Sequence, residues 1–511
     1  MNTAKSGIDF SDFSNKRIHM IGVKGTGMAA LAEILVFRGA RVTGSDIADV
    51  FYTDSILHKI GISPSLFDAC HITDDIELVI YSAAYNETNP EFSAAAKKNI
   101  PMLVYPEALG KISEKPFSVG IAGVHGKTST TGLTGILVKQ FPELAASVLA
   151  GSGIPGFSDD ASDTVSCTHL HGDAYFVAET CEYKRHFMHF SPNVIVLTSV
   201  ESDHQDFYPT FADIQNAFID YIELLPKNGV LIFCEDDAGA KETAEIAHNR
   251  RSDITMIPYG KRNITLGEIT DGKQFFSLKR FDARFDAHFD ARSGRTVIHE
   301  FALAVPGAHM VLNASAAVFA LTILLQDAGI DAFSANSTQR IAAGLLQFHG
   351  AKRRSEIIGK HFIGEKNDTI FIDDYAHHPT AIEKTLAGFK AFYPDRKIIV
   401  DFMSHTYSRT KALFAGFSSC WTSADTVILH EIYASAREKH DSSDPTGKSL
   451  FEAVKKQHSD VHYFEKILDA TDFAESLVRA DGKKLFITMG AGDNWKLGAE
   501  LLQRITDVMR H

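Results

Sequence analysis

Gly123-Val124-His125-Gly126-Lys127-Thr128 is the stretch that decides the fold of this chain. It follows an apolar run, residues 117–122, and precedes a segment of helical character that reaches Val138. A strand that turns through glycines into a helix presents backbone N–H groups and the positive helix end to a phosphate. Lys127 adds a mobile charge, and the Thr128 hydroxyl stands where it reaches the magnesium ion of a bound nucleotide. The glycine spacing departs from the common P-loop, so a glycine-rich turn with a surface lysine is the alternative to an ATP site.

Length and composition limit the classes of protein that the chain can belong to. Its 511 residues predict about three domains, at roughly 150 residues each. The net charge of -13 argues against a nucleic-acid partner. Five cysteines without a C-x-x-C pair fit a reducing compartment. The polar N-terminus lacks a signal-peptide core, and no apolar run approaches the ~18 residues of a membrane span, so we expect a soluble cytoplasmic protein with no membrane partner.

The first predicted unit, residues 1–115, begins as a nucleotide-binding fold. A strand at 17–21 leads into Gly22-Val23-Lys24-Gly25-Thr26-Gly27-Met28 and an apolar helix that reaches Phe37. A second strand ends at Ser45-Asp46, about twenty residues past the glycines, where a doubly wound fold contacts a ribose. The glycine order is G-x-x-G-x-G and not the dinucleotide fingerprint. A dinucleotide, another diphosphate-bearing ligand and a structural turn all remain open at this point.

The central unit, residues 116–350, places acids at the ends of two predicted strands. One strand ends at Glu179 and another at Glu201-Ser202-Asp203-His204. Ligands bind beyond the carboxyl ends of parallel strands, so Thr128, Glu179 and His204 are predicted to converge. Carboxylate and hydroxyl oxygens suit Mg²⁺, whereas a histidine is a less usual ligand and is often structural.

Two further stretches of the central unit receive weaker interpretations. The cluster Glu182-Tyr183-Lys184-Arg185-His186 is compatible with a solvated helix start. A tandem Phe-Asp-Ala repeat at 281–292 has a period of four, which matches neither a strand face nor a helix stripe and predicts an expanded hairpin or loop.

The third unit, residues 351–511, again alternates strands with helices, and three of its strands run into polar clusters. The clusters are Asp373–Pro379, Ser404–Thr410 and Met489–Asn494. Pro379 is well placed to start a helix. The adjacent pair His377-His378 suits a metal, but no further ligand spacing supports one. The whole chain is therefore predicted to be an α/β protein of three domains.

These motifs together resemble the Mur ligase family. The resemblance extends from Ile18 to Leu502. Each motif taken alone is weak evidence, whereas the order and spacing of the motifs together are specific to the family. The matching stretches are Gly22–Met28, Gly44–Asp46, Asn89–Glu91, Gly126–Thr128, Glu179, Asp203-His204, Pro306-Gly307 with Asn313, Arg353-Arg354, Asp373–Pro379, Tyr407–Thr410 and Met489–Asp493.

The resemblance implies an architecture and a reaction. The first domain would be Rossmann-like and bind a UDP sugar, the second would be a P-loop ATPase domain, and the third, also Rossmann-like, would complete the nucleotide and amino-acid sites. The implied enzyme is an ATP- and Mg²⁺-dependent ligase of peptidoglycan synthesis, cell-wall biogenesis and cell division. It would join L-alanine to the lactyl carboxylate of UDP-N-acetylmuramate through an acyl phosphate, as a monomer or homodimer.

The resemblance also implies roles for individual residues. Lys127, His204 and Arg354 would act in catalysis, with Lys127 on the β and γ phosphates and Arg354 on the transferring phosphoryl group. ATP would be held by Gly123, Gly126, Lys127, Thr128, Asn313 at the adenine, and Asp374. Magnesium would be held by Thr128, Glu179 and His204. The UDP sugar would contact Gly25, Gly27, Met28, Ser45 and Asp46. The amino acid would be surrounded by Tyr375, His377, His405 and Arg409, the last on its carboxylate.

Some positions depart from the family pattern. Met310 and Thr406 stand where many members carry asparagine and arginine, and Ser404 replaces a usual proline. The helix at 216–220 lacks the lysine that later-acting members carbamylate, which favours the alanine-adding member. A recycling ligase for a preformed tripeptide is the alternative within the family. An NAD-dependent oxidoreductase that uses the first domain would leave Lys127 and the magnesium residues without a purpose. A non-catalytic nucleotide-binding module is the other alternative, and ATP consumption with and without each acceptor distinguishes them.

Overall fold

The computed structural model describes residues 12–158, 165–279, 298–363, 367–434 and 441–507. Within these ranges the chain forms sheets of four, seven, three and six strands in sequence order. The Phe-Asp-Ala repeat lies outside the described residues. The strands that flank it, 273–279 and 298–303, pair antiparallel in the three-stranded sheet.

The first sheet is parallel, with strand order β2-β1-β3-β4. The predicted glycine turn connects β1 to α1. The apolar residues of α1 pack against two strands of the next sheet, Ala146–Ile154 and Ser166–Leu170, so one hydrophobic core joins the first two units. The elements are β1 (Arg17–Ile21), α1 (Thr26–Phe37), β2 (Arg41–Ser45), α2 (Thr53–Lys59), β3 (Leu78–Tyr81), α3 (Pro90–Lys97), β4 (Met102–Val104) and α4 (Tyr105–Ser113).

The second sheet has the order β11-β10-β9-β5-β8-β6-β7, and β7 is its one antiparallel strand. The central strand β5 lies between β8 and β9, which brings Ile121 opposite Glu179 and Ala122 opposite Leu197. The ends of these three strands therefore share one edge, as predicted. The elements are β5 (Phe117–Ala122), α5 (Lys127–Lys139), β6 (Ala146–Ile154), β7 (Ser166–Leu170), β8 (Tyr175–Glu179), β9 (Val194–Leu197), α6 (Phe211–Ile222), β10 (Val230–Cys234), α7 (Ala238–Arg250) and β11 (Thr255–Tyr259).

An antiparallel three-stranded sheet and two helices complete the middle of the chain: β12 (Ile264–Thr270), β13 (Lys273–Lys279), β14 (Ile298–Leu303), α8 (Ala308–Asp327) and α9 (Ala335–Gln347). Helix α8 is long and apolar enough to cross a membrane by length and composition, which corrects the expectation that no segment is. It packs along α5 in the core, and 83% of its apolar window is buried. Its hydrophobicity is therefore that of a core helix.

The six-stranded sheet lies in the last part of the chain and has the order β15-β16-β20-β17-β18-β19, with β15 antiparallel at the edge. Pro379 begins a helix, as the sequence predicts. The elements are β15 (Glu356–Ile363), β16 (Asn367–Asp374), α10 (Pro379–Phe392), β17 (Lys397–Phe402), α11 (Tyr407–Ala412), α12 (Phe414–Ser419), β18 (Thr426–Leu429), α13 (Gly447–Val454), β19 (Val461–Tyr463), α14 (Thr471–Arg479), β20 (Lys484–Met489) and α15 (Trp495–Asp507). Strands, glycine turns and helices follow one another in the three-domain α/β arrangement that the sequence predicts.

Candidate active site

The phosphate loop is the turn between β5 and α5. Gly123 and Gly126 have φ angles of 132° and 85°, which L side chains rarely adopt, and Gly126 is the residue that precedes the helix. A Cβ atom on Gly126 would lie 2.6 Å from the side-chain oxygen of Asn313 on α8. The loop therefore needs glycine at this point, and Asn313 borders it. The Nδ2 of Asn313 lies 3.7 Å from the sulfur of Met310, so these two α8 side chains contact each other.

Lys127 is paired with Glu182, a residue that the sequence interpretation placed in a solvated helix start. Glu182 is 2% exposed, and its carboxylate lies 2.9 Å from the Lys127 ammonium. Burial works against both charges, but their attraction holds the pKa of Lys127 above and that of Glu182 below its ordinary value. The interpretation of Glu182 as a solvated residue is wrong. A carboxylate three residues past a strand that ends on Glu179 was the signal available in the sequence.

Thr128 and Glu179 meet at the carboxyl ends of β5 and β8. The Thr128 hydroxyl donates to Glu179 Oε1 over 3.1 Å, and the Gly151 N–H donates to Oε2 over 2.8 Å. A hydroxyl and a carboxylate side by side form the oxygen donor set that Mg²⁺ prefers, so these residues fit the implied ion.

The side chain of His204 contacts Glu182, next to the Thr128–Glu179 pair. Its Nε2 lies 3.3 Å from the Glu182 carboxylate, and Glu182 in turn contacts Lys127. The His204 backbone has a φ of 55°, an uncommon conformation for a non-glycine residue that is found more often at functional sites. His204 thus lies beside the phosphate-loop lysine, while Thr128 and Glu179 form the direct contact.

The phosphate loop and the third domain line one cavity of about 420 Å³, part of it open to solvent. Arg354 enters it from the loop before β15, and His377 and His378 enter it from the loop between β16 and α10. The lining from the central domain comprises Val124, His125, Gly126, Lys127, Thr128, Ser129 and Glu179. Residues from two domains, separated by more than 170 positions in sequence, therefore face the same space.

His377 has a defined tautomer in this cavity. Its Nδ1 lies 2.9 Å from the Tyr375 carbonyl oxygen, which accepts a hydrogen bond and so fixes the ring proton at Nδ1. Burial, reinforced by the charge of Arg409, holds the pKa of His377 well below 6.5. At neutral pH the ring is uncharged and its Nε2 carries a lone pair. The ring centroid of Tyr375 lies 5.1 Å from that of His377 and 5.0 Å from the Arg354 guanidinium.

Arg409 joins the two domains through Asp203. Its Nε and Nη2 lie 3.3 and 3.1 Å from Asp203 Oδ1, and its Nη1 lies 3.5 Å from His405 Nδ1. Although burial raises the pKa of the Asp203 carboxyl, the Arg409 charge holds it well below its usual range. Arg409 is thus close to His377 and His405, as predicted, but its Nε and Nη2 are directed to Asp203, a carboxylate that the sequence analysis left without a role.

Asp374 lies behind the cavity and not in its lining. Its carboxylate accepts hydrogen bonds from the backbone N–H groups of Ser355 and Ala376 over 2.7 and 2.8 Å, and its side chain is 5% exposed. These bonds hold the strained turn in which Arg353 and Ser355 have φ angles of 57° and 52°. In this conformation Asp374 positions the Arg354 loop, and its direct contact with a nucleotide stays a prediction.

In the first domain the predicted residues divide between surface and core. Gly25 is open, whereas a Cβ on Gly27 would lie 2.8 Å from the Tyr105 ring. Asp46 accepts the Lys24 N–H over 2.7 Å and the Tyr85 hydroxyl over 3.1 Å, so it shapes the glycine turn.

The other two predicted first-domain side chains are directed into the protein. The side chain of Met28 is buried in the core, which leaves its backbone N–H at the helix start for a ligand. Ser45 is fully buried and hydrogen-bonds to Glu91, while its carbonyl accepts the Gly22 N–H over 2.9 Å. Glu91 of α3 and His19 of β1 lie against the Ser45 side chain, and the contact of Ser45 with a UDP sugar stays a prediction.

Three family models match successive parts of the chain. The Mur ligase family catalytic domain matches residues 17–115, the Mur ligase middle domain matches 121–321, and the glutamate ligase domain of Mur ligases matches 353–492. Their order is the order of the sheets described above.

Curated relatives match over nearly the whole chain. The UDP-N-acetylmuramate--L-alanine ligase of Treponema pallidum (strain Nichols) is 47% identical over 497 residues, which are 96% of this chain and 97% of the relative. The enzyme of the same name from Borreliella burgdorferi is 38% identical over 96% of this chain and 99% of its own length. Among solved structures, UDP-N-acetylmuramate-alanine ligase from Thermotoga maritima superposes with a TM-score of 0.70 at 24% identity, covering 96% of this chain and 99% of its own. At that identity the superposition shows the fold.

Proposed function

The chain belongs to the Mur ligase family, and we propose that it joins L-alanine to the lactyl carboxylate of UDP-N-acetylmuramate in a reaction driven by ATP. The observation that carries this proposal is the shared cavity, in which Lys127 and Thr128 of the phosphate loop face Arg354 and His377 of the third domain. Such a cavity brings a phosphoryl donor and an amino-acid acceptor to the same carboxylate. Two relatives whose names state this activity, 47% and 38% identical, support the choice of substrates.

In the first half-reaction the lactyl carboxylate attacks the γ-phosphorus of ATP, which gives an acyl phosphate and ADP. Both reactants are anions, so the chain must neutralise charge as it brings them together. Lys127 would leave Glu182 for the β and γ phosphates, and Arg354 would meet the transferring phosphoryl group. Gly123 and Gly126 let the loop pack closely against Thr198 and Asn313, which fixes the backbone N–H groups that would meet the phosphates.

In the second half-reaction the amine of L-alanine attacks the acyl carbon. A tetrahedral intermediate then collapses to the amide and releases inorganic phosphate. The amine is an ammonium in solution and must lose a proton before it attacks. We propose that His377 accepts this proton, because its neutral ring offers an Nε2 lone pair inside the cavity. Arg409, His405 and Tyr375 would hold the rest of the amino acid, with Arg409 on its carboxylate.

Thr128 and Glu179 would hold Mg²⁺, with His204 close by. The ion would neutralise phosphate oxygens during the transfer. The UDP portion of the sugar would lie on the first domain, where the open Gly25 and the N–H groups at the start of α1 face outward from the turn that Asp46 holds. The five cysteines, none of them in a disulfide, fit the cytoplasm, where we expect the enzyme to work.

The test is phosphate release by the purified protein with ATP, Mg²⁺, UDP-N-acetylmuramate and one acceptor at a time. L-Alanine should give rapid release. Glycine and L-serine should give slower release, since one methyl group is worth about 1–3 kcal/mol of discrimination. Activity with L-Ala-γ-D-Glu-diaminopimelate and none with L-alanine would instead identify a ligase for a preformed tripeptide.

A matched pair of variants assigns the ATP site. Lys127→Ala should reduce phosphate release roughly a thousandfold or more, because it removes a charge from the phosphoryl-transfer site. Lys241→Ala, on the exposed face of α7, serves as the control and should keep the wild-type rate. Near-normal turnover by Lys127→Ala would contradict the assignment of this loop to ATP.

A further inference from the structure

A group of three side chains, His125, Glu201 and His378, lies between the phosphate loop and the third domain. One ring nitrogen of each histidine and a carboxylate oxygen of Glu201 lie within 4.8 Å of one another. His125 Nε2 is 3.8 Å and His378 Nδ1 is 4.0 Å from Glu201 Oε2, and the two ring centroids are 5.0 Å apart. These separations exceed hydrogen-bond distances, so the three groups face one another without bonding directly.

The histidines leave buried nitrogen atoms without partners. His378 is 6% exposed, and within the described part of the chain neither its Nε2 nor the Nε2 of His125 has a hydrogen-bond partner. His378 Nδ1 accepts a long hydrogen bond, 3.3 Å, from the Thr380 N–H at the start of α10. The unpartnered Nε2 of His125 is the nitrogen that faces Glu201, whereas the nitrogen of His378 nearest Glu201 is Nδ1. A buried polar atom without a partner, such as His125 Nε2, is costly and is common in sites that bind something the protein itself does not supply.

We propose that His125, Glu201 and His378 form a binding site for a divalent transition-metal ion of the zinc class. Two imidazoles and one carboxylate are a common zinc donor set with one position left open, whereas Mg²⁺ prefers oxygen ligands. Ligands of a tetrahedral zinc ion at ~2.0–2.1 Å lie about 3.4 Å apart, so each side chain has to move by only about 1 Å. Such a movement of His378 would break the long hydrogen bond from the Thr380 N–H, and the bond from Nδ1 to the ion would replace it.

The ion would connect two domains at the wall of the nucleotide cavity. His125 belongs to the phosphate loop and Glu201 follows β9, whereas His378 immediately precedes α10 of the third domain. Both histidines line the cavity, so an ion held by them would lie at its wall. The site shares no ligand with the Thr128–Glu179 pair and goes beyond the proposed ligase reaction.

The experiment titrates the metal-depleted full chain, without nucleotide, with Co²⁺ as a spectroscopic substitute for Zn²⁺. Visible absorption of four-coordinate cobalt should rise to a stoichiometry of one ion per chain, and added Zn²⁺ should abolish it while excess Mg²⁺ should not. Three variants, His125→Asn, Glu201→Gln and His378→Asn, should each weaken Co²⁺ binding more than about tenfold, since changes even behind a metal ligand cost about 10–100-fold. Asparagine at 378 can still begin α10, because it is a favoured residue before a helix.

Two controls separate this site from others. His248→Asn, on the exposed end of α7, removes a histidine outside the group and should leave Co²⁺ affinity unchanged. Glu179→Gln should also leave it unchanged, although it disturbs the proposed magnesium site. Loss of Co²⁺ binding in Glu179→Gln, or unaltered binding in the three ligand variants with circular dichroism spectra like the parent, would overturn the proposal. Because no nucleotide is present, this outcome is independent of whether the chain is an alanine ligase.

Discussion

Replacing Glu182 with glutamine tests whether the Lys127 ammonium exchanges a protein carboxylate for the phosphates of ATP. In the free protein the two groups form a buried ion pair at 2.9 Å, with side chains 13% and 3% exposed. Removing one partner of such a pair costs about 3–5 kcal/mol, and glutamine keeps an acceptor oxygen, so we expect a loss of about 3 kcal/mol. At about 2–4 °C per kcal/mol for a domain of this size, Tm should fall by about 6–12 °C.

Nucleotide binding should restore much of the stability that Glu182→Gln loses, because the phosphates supply the missing negative charge beside Lys127. The variant should therefore bind Mg²⁺ and a non-hydrolysable ATP analogue more tightly than the parent, by at most about 100-fold, and show the larger Tm increase on binding. Isothermal titration calorimetry and differential scanning calorimetry measure the two quantities. Glu223→Gln, which breaks an exposed pair with Arg250, is the matched control and should change neither by much. Unchanged or weaker nucleotide affinity in Glu182→Gln would refute the exchange.

Three further predictions concern magnesium, the amino acid and acid stability. Glu179→Ala should be nearly inactive at ordinary Mg²⁺ and should shift the Mg²⁺ dependence of phosphate release to higher concentration; an unaltered dependence would count against a ligand role. Arg409→Ala should raise the KM for L-alanine far more than that for ATP, and equal changes in both would show that the Asp203 contact is its whole function. His309 is neutral in the folded chain, since burial and then Lys384 lower its pKa from 6.5 to about 4, so protonation of the unfolded chain should reduce stability as pH falls from 6.5 to 4. His309→Gln should remove up to about 3 kcal/mol of the stability that the parent loses between pH 6.5 and 4, so its Tm should fall less steeply with pH in that window. A pH profile parallel to that of the parent would contradict the burial argument.

The sequence predicts the parts of the fold that local patterns determine. The strand, glycine turn and helix around Lys127 form as expected, because positive φ angles and a free helix start are encoded within a few residues. Glu179 and Asp203 were also predicted to follow strands, since apolar runs mark where β8 and β9 end. Helix α8 is different. Its sequence shows that it is long and apolar, but it does not show that the helix is buried against α5.

Contacts between distant segments could not be predicted in the same way. The sequence shows that Glu182 follows closely after the end of β8, but it does not show that this carboxylate contacts Lys127, 55 positions earlier. The contact between Arg409 and Asp203 spans 206 positions and depends on how the third domain packs on the second. Ser45 is a further example, because its place at the end of β2 does not show that α3 brings Glu91 against its hydroxyl. Each difference arises from tertiary packing that determines which side of a motif faces solvent.

These contacts give the site a common electrostatic property. Lys127 and Arg409, the cations assigned to the phosphates and to the amino-acid carboxylate, are each paired with a protein carboxylate in the ligand-free chain. An arriving anion therefore replaces Glu182 or Asp203 and does not meet an unpaired cation, so its net gain is the difference between two ion pairs. Because Asp203 belongs to the central domain and Arg409 to the third, the second exchange also alters a contact between domains. If Arg409 binds the amino acid as proposed, amino-acid binding and the relative position of the two domains are coupled, because the Arg409–Asp203 contact joins them.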